Sequence, residues 1–181
     1  MKATDVLKHE HRIILLVLEA ADREAQVIKD TGKVSTDKLD KVLDFCRVFI
    51  DACHHGKEEE YLFPKMKERG LESDNGPIPV MLQEHEAGRQ RVKSIAESLA
   101  QARKGDLAGM AALSVNLSAY VDHLQAHIDK ENNVLFPMAD RLFTAADQQA
   151  LARAFDKHEA EEMGAGVHEK YHQLAHELSH G

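Results

Sequence analysis

The sequence predicts an all-α protein: an up-down-up-down four-helix bundle carrying a helical C-terminal extension. Three observations point there. Only four prolines and ten glycines interrupt 181 residues, and Val and Ile are scattered rather than gathered into the alternating runs that make strands. Four long amphipathic segments follow one another with short turn signals between them, so neighbouring helices should run antiparallel. One run is also written twice: residues 54–64 read HHGKEEEYLFP and residues 127–137 read HIDKENNVLFP, at an offset of 73 residues.

The first helix opens at Thr4 or Asp5, whose side chains can accept from the free N–H groups of a first turn. It runs to about Lys29, before the Thr31-Gly32 stop. The second starts near Ser35 or Thr36 and reaches about Arg69, followed by Gly70. The stretch SDNGPIP (73–79) reads as a loop, with Pro79 at or near the first turn of the third helix. That helix continues to about Lys104, before Gly105. The fourth runs from Asp106 to about Phe143. Pro64 and Pro137 fall inside the second and fourth segments, where a missing N–H and a ring clash predict a kink or an end. A fifth segment, from about Thr144 to Lys157, and a sixth, from about Gly166 onward, make the extension. No low-complexity linker separates these parts. One domain over 1–181 is therefore expected, with the bundle over about 4–143 and the extension over about 144–181.

The formal charge of −8 argues against nucleic acid as the main partner, since phosphate binding needs a basic face. No apolar run reaches membrane length, and the first twelve residues hold no apolar signal-peptide core. No membrane partner and a cytoplasmic location are expected. Cys46 and Cys53 lie seven apart on one helix, about 10 Å along its axis by the rise per residue, too far for a disulfide. They read as reduced, buried thiols.

Twelve histidines are an excess that needs a cause. The apolar stripe of each bundle helix supplies one. In the first helix, Leu7, His11, Ile14 and Leu18 share a face. In the second, Cys46, Ile50, His54, Glu58 and Tyr61 do. In the third, Met81, His85, Val92, Ile95 and Leu99 do, with Gly88 at the closest approach. In the fourth, the stripe is Leu113, Leu117, Tyr120, Leu124, His127, Glu131 and Val134. Each helix thus aims one His at the core, and two add a Glu one turn later. Burying two carboxylates with no inward Lys or Arg at matching depth costs several kcal/mol; a metal cluster offsets that cost. Four imidazoles and two carboxylates suit iron, manganese or zinc. The pairs Glu10-His11 and Glu84-His85 repeat at an offset of 74 residues. Each half therefore supplies His, then His-x-x-x-Glu, which predicts a pseudo-twofold site for two metals. The ferritin-type Glu-x-x-His spacing occurs only in the tail (Glu169/His172 and Glu177/His180).

The pattern H…HxxxE…H…HxxxE, with KE-x-x-x-LFP after the paired residues, resembles the hemerythrin family, and more closely the bacterial hemerythrin-like HHE cation-binding proteins. The resemblance covers roughly residues 4–143. It implies a non-haem di-iron centre with His11, His54, His85 and His127 as terminal ligands. Glu58 and Glu131 would bridge the irons alongside an oxo or hydroxo group, with zinc or manganese as substitutes. There is a departure: oxygen-carrying members have a fifth His where this sequence has Arg89, and an Asp five residues after the last His where this sequence has Glu131 four after. One position would stay open on each iron. That favours redox chemistry on H2O2 or NO, of a peroxidase, catalase-like or nitric oxide reductase-like kind, over reversible oxygen carriage. It would require an electron donor. The alternative is a non-enzymatic sensor of iron, oxygen or NO, an iron donor, or an iron-sulfur repair protein.

The tail places His168, His172, His176 and His180 every four residues. Either these form a solvated edge beside the apolar stripe Val167, Tyr171, Leu174 and Leu178, or the tail caps the site and His168 reaches a metal. Tyr61 and Tyr120 lie near the ligand stripes and could donate a hydrogen bond. His55 is expected to point sideways. Glu59, Glu60, His9, His123 and His158 are set aside with it, and Lys57 and Lys130 are expected to be solvated amines.

Overall fold

A computed structural model describes residues 1–71 and 74–181 of the chain. No strand occurs among them. Helix α1 is Ala3–Thr31. It starts ahead of Thr4 because the Asp5 carboxylate accepts from the Lys2 N–H at 3.0 Å and closes the first turn from inside. It ends at Gly32, whose φ of 66° is left-handed and whose N–H returns to Ile28 O. Helix α2 spans residues 36–68, α3 is Pro77–Arg103, and α4 spans residues 107–142. Asp106 caps α4, accepting from the N–H groups of Ala108 and Gly109. The third helix thus begins at Pro77, two residues before Pro79. Of the expected 73–79 loop, Asp74–Gly76 is a bend and Ser73 lies outside the described residues.

The two inner prolines end neither helix. The helical run continues to Glu68 in α2 and to Leu142 in α4. The reason is local: Cys46–His55, Glu58–Leu62 and Glu131–Leu135 are π-helical, with backbone bonds reaching five residues back rather than four. The Phe63 N–H donates to Glu58 O, and the Phe136 N–H to Glu131 O. The extra residue in the turn moves the carbonyl four residues before each proline away from its ring. It also rotates the side chains beyond the turn. Val134, expected inside, is 53% exposed, and Leu135 faces the core in its place.

Helices α3 and α4 pack along their length, α1 packs on α4, and α2 closes the ring against α1 and α3. The extension is two helices, α5 (Ala145–Glu162) and α6 (Val167–His180). Thr144 and Asp147 cap α5 reciprocally, the Thr hydroxyl accepting from Asp147 N–H and the carboxylate from Thr144 N–H. Helix α6 lies against α1 and α2, and α5 against the π-helical part of α2.

The core comes in two pieces. One apolar cluster holds Leu7, Phe63, Met66, Ile78, Met81 and Phe136. The other holds Ile14, Leu18, Ile50, Ile95, Leu117 and Leu124. Along α1, α2 and α3 the site-forming His falls between the two, and on α4 His127 lies at the edge of the larger cluster beside its last member there, Ile128. The polar layer is therefore walled above and below by apolar side chains that keep water out. Gly88 is not at a tight approach: a Cβ there would meet His123 at 3.8 Å, an ordinary contact.

Candidate metal centre

Both cysteines are buried and free, and burial pushes each thiol up to about 12. The six singled-out residues meet in one buried layer. His11, His54, Glu58, His85, His127 and Glu131 are each at most 2% exposed. Glu58 faces both imidazole pairs: Oε1 lies 3.6 Å from His54 Nε2, and Oε2 lies 3.3 Å from His85 Nε2. Glu131 does the same, with Oε2 at 3.1 Å from His11 Nε2 and Oε1 at 3.1 Å from His127 Nε2.

All four rings are turned by a partner on the other nitrogen. Glu10 accepts from His54 Nδ1 and Glu84 from His127 Nδ1, each at 2.8 Å. Glu59 accepts from His85 Nδ1 at 2.7 Å, and the Asn132 amide oxygen from His11 Nδ1 at 2.9 Å. A carboxylate or amide oxygen only accepts, so Nδ1 carries a proton and Nε2 is the nitrogen left to face inward. Two such nitrogens, of His85 and His127, face each other at 3.1 Å. None of the four carboxylate oxygens of Glu58 and Glu131 has a hydrogen-bond donor, nor has His11 Nε2 a partner. Buried acceptors converging without donors are the arrangement that cations satisfy. The electrostatics agree. Burial alone would depress His85, but Glu131, Glu58 and Glu59 beside it hold it up to about 11. Burial would raise Glu131, but His127, His11 and His85 hold it well below the carboxylate range. The layer calls for positive charge.

The braces obey the same repeat as the six residues of the layer. Glu10 and Glu84 stand at related positions, as do Glu59 and Asn132. The lysines are related too: Lys57 bonds Glu10, and Lys130 bonds Glu84. The sequence showed the Glu-His pairs but gave no sign that each Glu braces a His on another helix. Nor does spacing distinguish Glu59, which braces His85 across two helices. Lys57 is not a solvated amine: it is fully buried between Glu10 and Glu159 of α5. Lys130 is half exposed, closer to expectation.

His55 also departs from the sequence reading. It is buried and stacks on His85 with ring centroids 3.8 Å apart. A π turn holds more residues than the 3.6 of an α turn, so consecutive side chains diverge less and His54 and His55 both face inward. Arg89 bonds Asp51 at 2.8 Å and Glu59 at 2.7 Å, so it steadies the brace of His85. The extension does close over one side, but His168 stops one layer out. Its Nε2 donates to Glu10 at 3.2 Å and lies 3.5 Å from Glu159. Glu10 is consequently held far below the usual range by His168, His54 and Lys57 against the effect of its burial. Tyr61 packs against Phe155 and His158 of α5, and Tyr120 bonds the Cys46 thiol.

The model of the Hemerythrin HHE cation binding domain matches residues 2–139. The chain belongs to the hemerythrin HHE family. An uncharacterised protein of Mycobacterium tuberculosis is 23% identical over 162 residues, 90% of this chain and 63% of that protein. An uncharacterised protein of Mycobacterium bovis matches to the same extent. The iron-sulfur cluster repair protein YtfE of Yersinia pestis is 39% identical over 92 residues, 49% of this chain and 41% of that protein. This hemerythrin-family chain thus spans less than two thirds of the length of these relatives. Among its described residues no helix is long and apolar enough to cross a membrane.

Proposed function

We propose that this chain is a non-haem di-iron protein that binds and redox-processes a small molecule of the O2, H2O2 or NO kind. The observation that carries the reading is the pair of donor-less glutamates, each spanning both imidazole pairs. His11 and His54 would hold one iron and His85 and His127 the other, with Glu58 and Glu131 shared between them. Iron supplies reversible one-electron chemistry and open positions for a small molecule. The chain supplies the rest. Glu10, Glu59 and Glu84 accept hydrogen bonds from Nδ1 of His54, His85 and His127, fix those tautomers and make the inward nitrogens more basic. The two apolar clusters exclude water, which strengthens every charge interaction in the layer.

The test is anaerobic loading with ferrous iron, and in parallel with manganese or zinc, followed by separate exposure to O2, H2O2 and NO. Two irons per chain are expected, with an absorption change on oxidation and consumption of H2O2 or NO when an electron donor is present. One metal per chain, or unchanged binding in a Glu58→Ala/Glu131→Ala double variant, would sink the reading.

One observation favours a second reading: the 39% identity to a protein named for iron-sulfur cluster repair. In that role the iron leaves the site. Iron-loaded chain mixed with a cluster-free ferredoxin, inorganic sulfide and a thiol reductant should restore the ferredoxin's cluster absorbance; retained iron under the same conditions speaks for the first reading.

A further inference from the structure

The ligand set is symmetric, but its surroundings are not. His55 corresponds through the repeat to Ile128, Asp51 to Leu124, and Arg89 to Leu15. A histidine, an aspartate and an arginine thus stand where the other half of the repeat has aliphatic side chains. All three also line a single cavity of about 410 Å³. By area its walls are largely apolar, with Cys46, Ile50, Val92, Ala96, Tyr120 and Leu124 among them, although Arg47, Lys93 and Glu97 also border it.

His55 is where this cavity meets the polar layer. It lines the cavity on one side and lies face to face with His85 on the other, the two planes only 14° apart. A ring nitrogen binds a metal in the plane of its own ring. With the two rings nearly parallel, the nitrogens of His55 and of His85 do not aim at one point, even though a ring nitrogen of His55 comes within 4.8 Å of donor atoms of Glu58, His85 and His127. His55 screens the His85 side without completing the ligand set. Its ring is steadied from outside by Asp51, 3.4 Å from Nδ1, and Asp51 is held in turn by Arg89.

The geometry points to an assignment that rests on the di-iron reading. The cavity is the way in for a small uncharged molecule such as NO or O2. It delivers to the metal held by His85 and His127, and His55 is the side chain that the molecule passes. Apolar walls accept a neutral diatomic without the desolvation cost an ion would meet. A second depression holds Leu15 and Ile128, the counterparts of Arg89 and His55, together with Asn132, Asp122, Gln125 and Asp129. Its surface is close to half polar, against the largely apolar surface of the cavity, and offers no such path.

The experiment uses iron-loaded full-length chain and stopped-flow binding of NO. Ala96→Phe fills the cavity away from every residue of the site; it should keep two irons and slow NO association roughly tenfold or more, well inside the range that access changes can produce. Ala126→Phe, on the opposite depression, should leave the rate as it is. His55→Ala should keep the iron and speed association. Xenon-pressurised crystals of metal-free protein should show xenon in the cavity. An unslowed Ala96→Phe, slowing by Ala126→Phe instead, iron lost from His55→Ala, or a cavity without xenon would each overturn the route. Fewer than two irons in the unaltered chain would instead overturn the di-iron reading itself, a separate outcome read before any NO is added.

Discussion

Lys57 and Lys130 stand at related positions, one residue before each shared glutamate, and both bond a glutamate that braces a histidine. Their surroundings separate them. Lys57 is fully buried, and Lys130 is half exposed. Removing a buried cation leaves its carboxylate partner uncompensated in a medium of low dielectric, whereas an exposed pair gives up little to water. Lys57→Met is expected to cost about 3 kcal/mol of unfolding free energy, and Lys130→Met less than about 1 kcal/mol. Urea denaturation of the metal-free variants measures both; equal losses would refute the contrast. Position in the repeat was legible in the sequence here. Burial was not, because it comes from Glu159 and His168 on the extension, more than a hundred residues further along the chain.

The π-helical turns explain the repeat at the scale of an element. Each KE-x-x-x-LFP run begins one at its glutamate, and the proline that should break the helix sits just beyond it. The motif therefore supplies both a glutamate of the buried layer and the widened turn that carries it. An α periodicity cannot anticipate that widening. It puts Val134 inside and His55 outside, the reverse of what the wider turns do, while it brings His54 and Glu58, one turn apart, to the face they share. The same stretch of α2 also sets how closely α5 approaches. A Cβ on Gly56 would lie 2.4 Å from His158 Nε2, and that ring is buried and bonded to Ala52 O at 2.9 Å. Gly56→Ala must push α5 away and is expected to cost about 1–3 kcal/mol, read as a lowered denaturation midpoint with unchanged helical circular dichroism.

For the whole molecule, the extension is part of the core rather than an appendage. Ala175 and Leu178 are buried in the larger apolar cluster, with Tyr171 and Leu174 packed against it. Arg23 of α1 donates to the last carbonyls of α6, at Leu178 and Ser179. The Tyr171 hydroxyl donates to Asp44 at 2.7 Å. Ending the chain after Glu162 would expose this surface and remove His168 from Glu10. At the usual free energy per unit of apolar area the loss is a few kcal/mol, which corresponds to a fall in Tm of about 10 °C for a chain of this size. Calorimetry of the truncated chain, with binding of a hydrophobic dye to report the exposed face, checks it.

The sequence by itself determined the helices, their antiparallel order and the six side chains that meet in the polar layer. These follow from periodicity, turn residues and a repeat, all of which act over a few turns of one chain segment. The tertiary structure decided what surrounds that layer: which glutamate braces which histidine, which lysine is buried, where His55 points and which end of the site opens to a cavity. Those depend on side chains from different helices meeting in space, and no spacing along the chain encodes that distance.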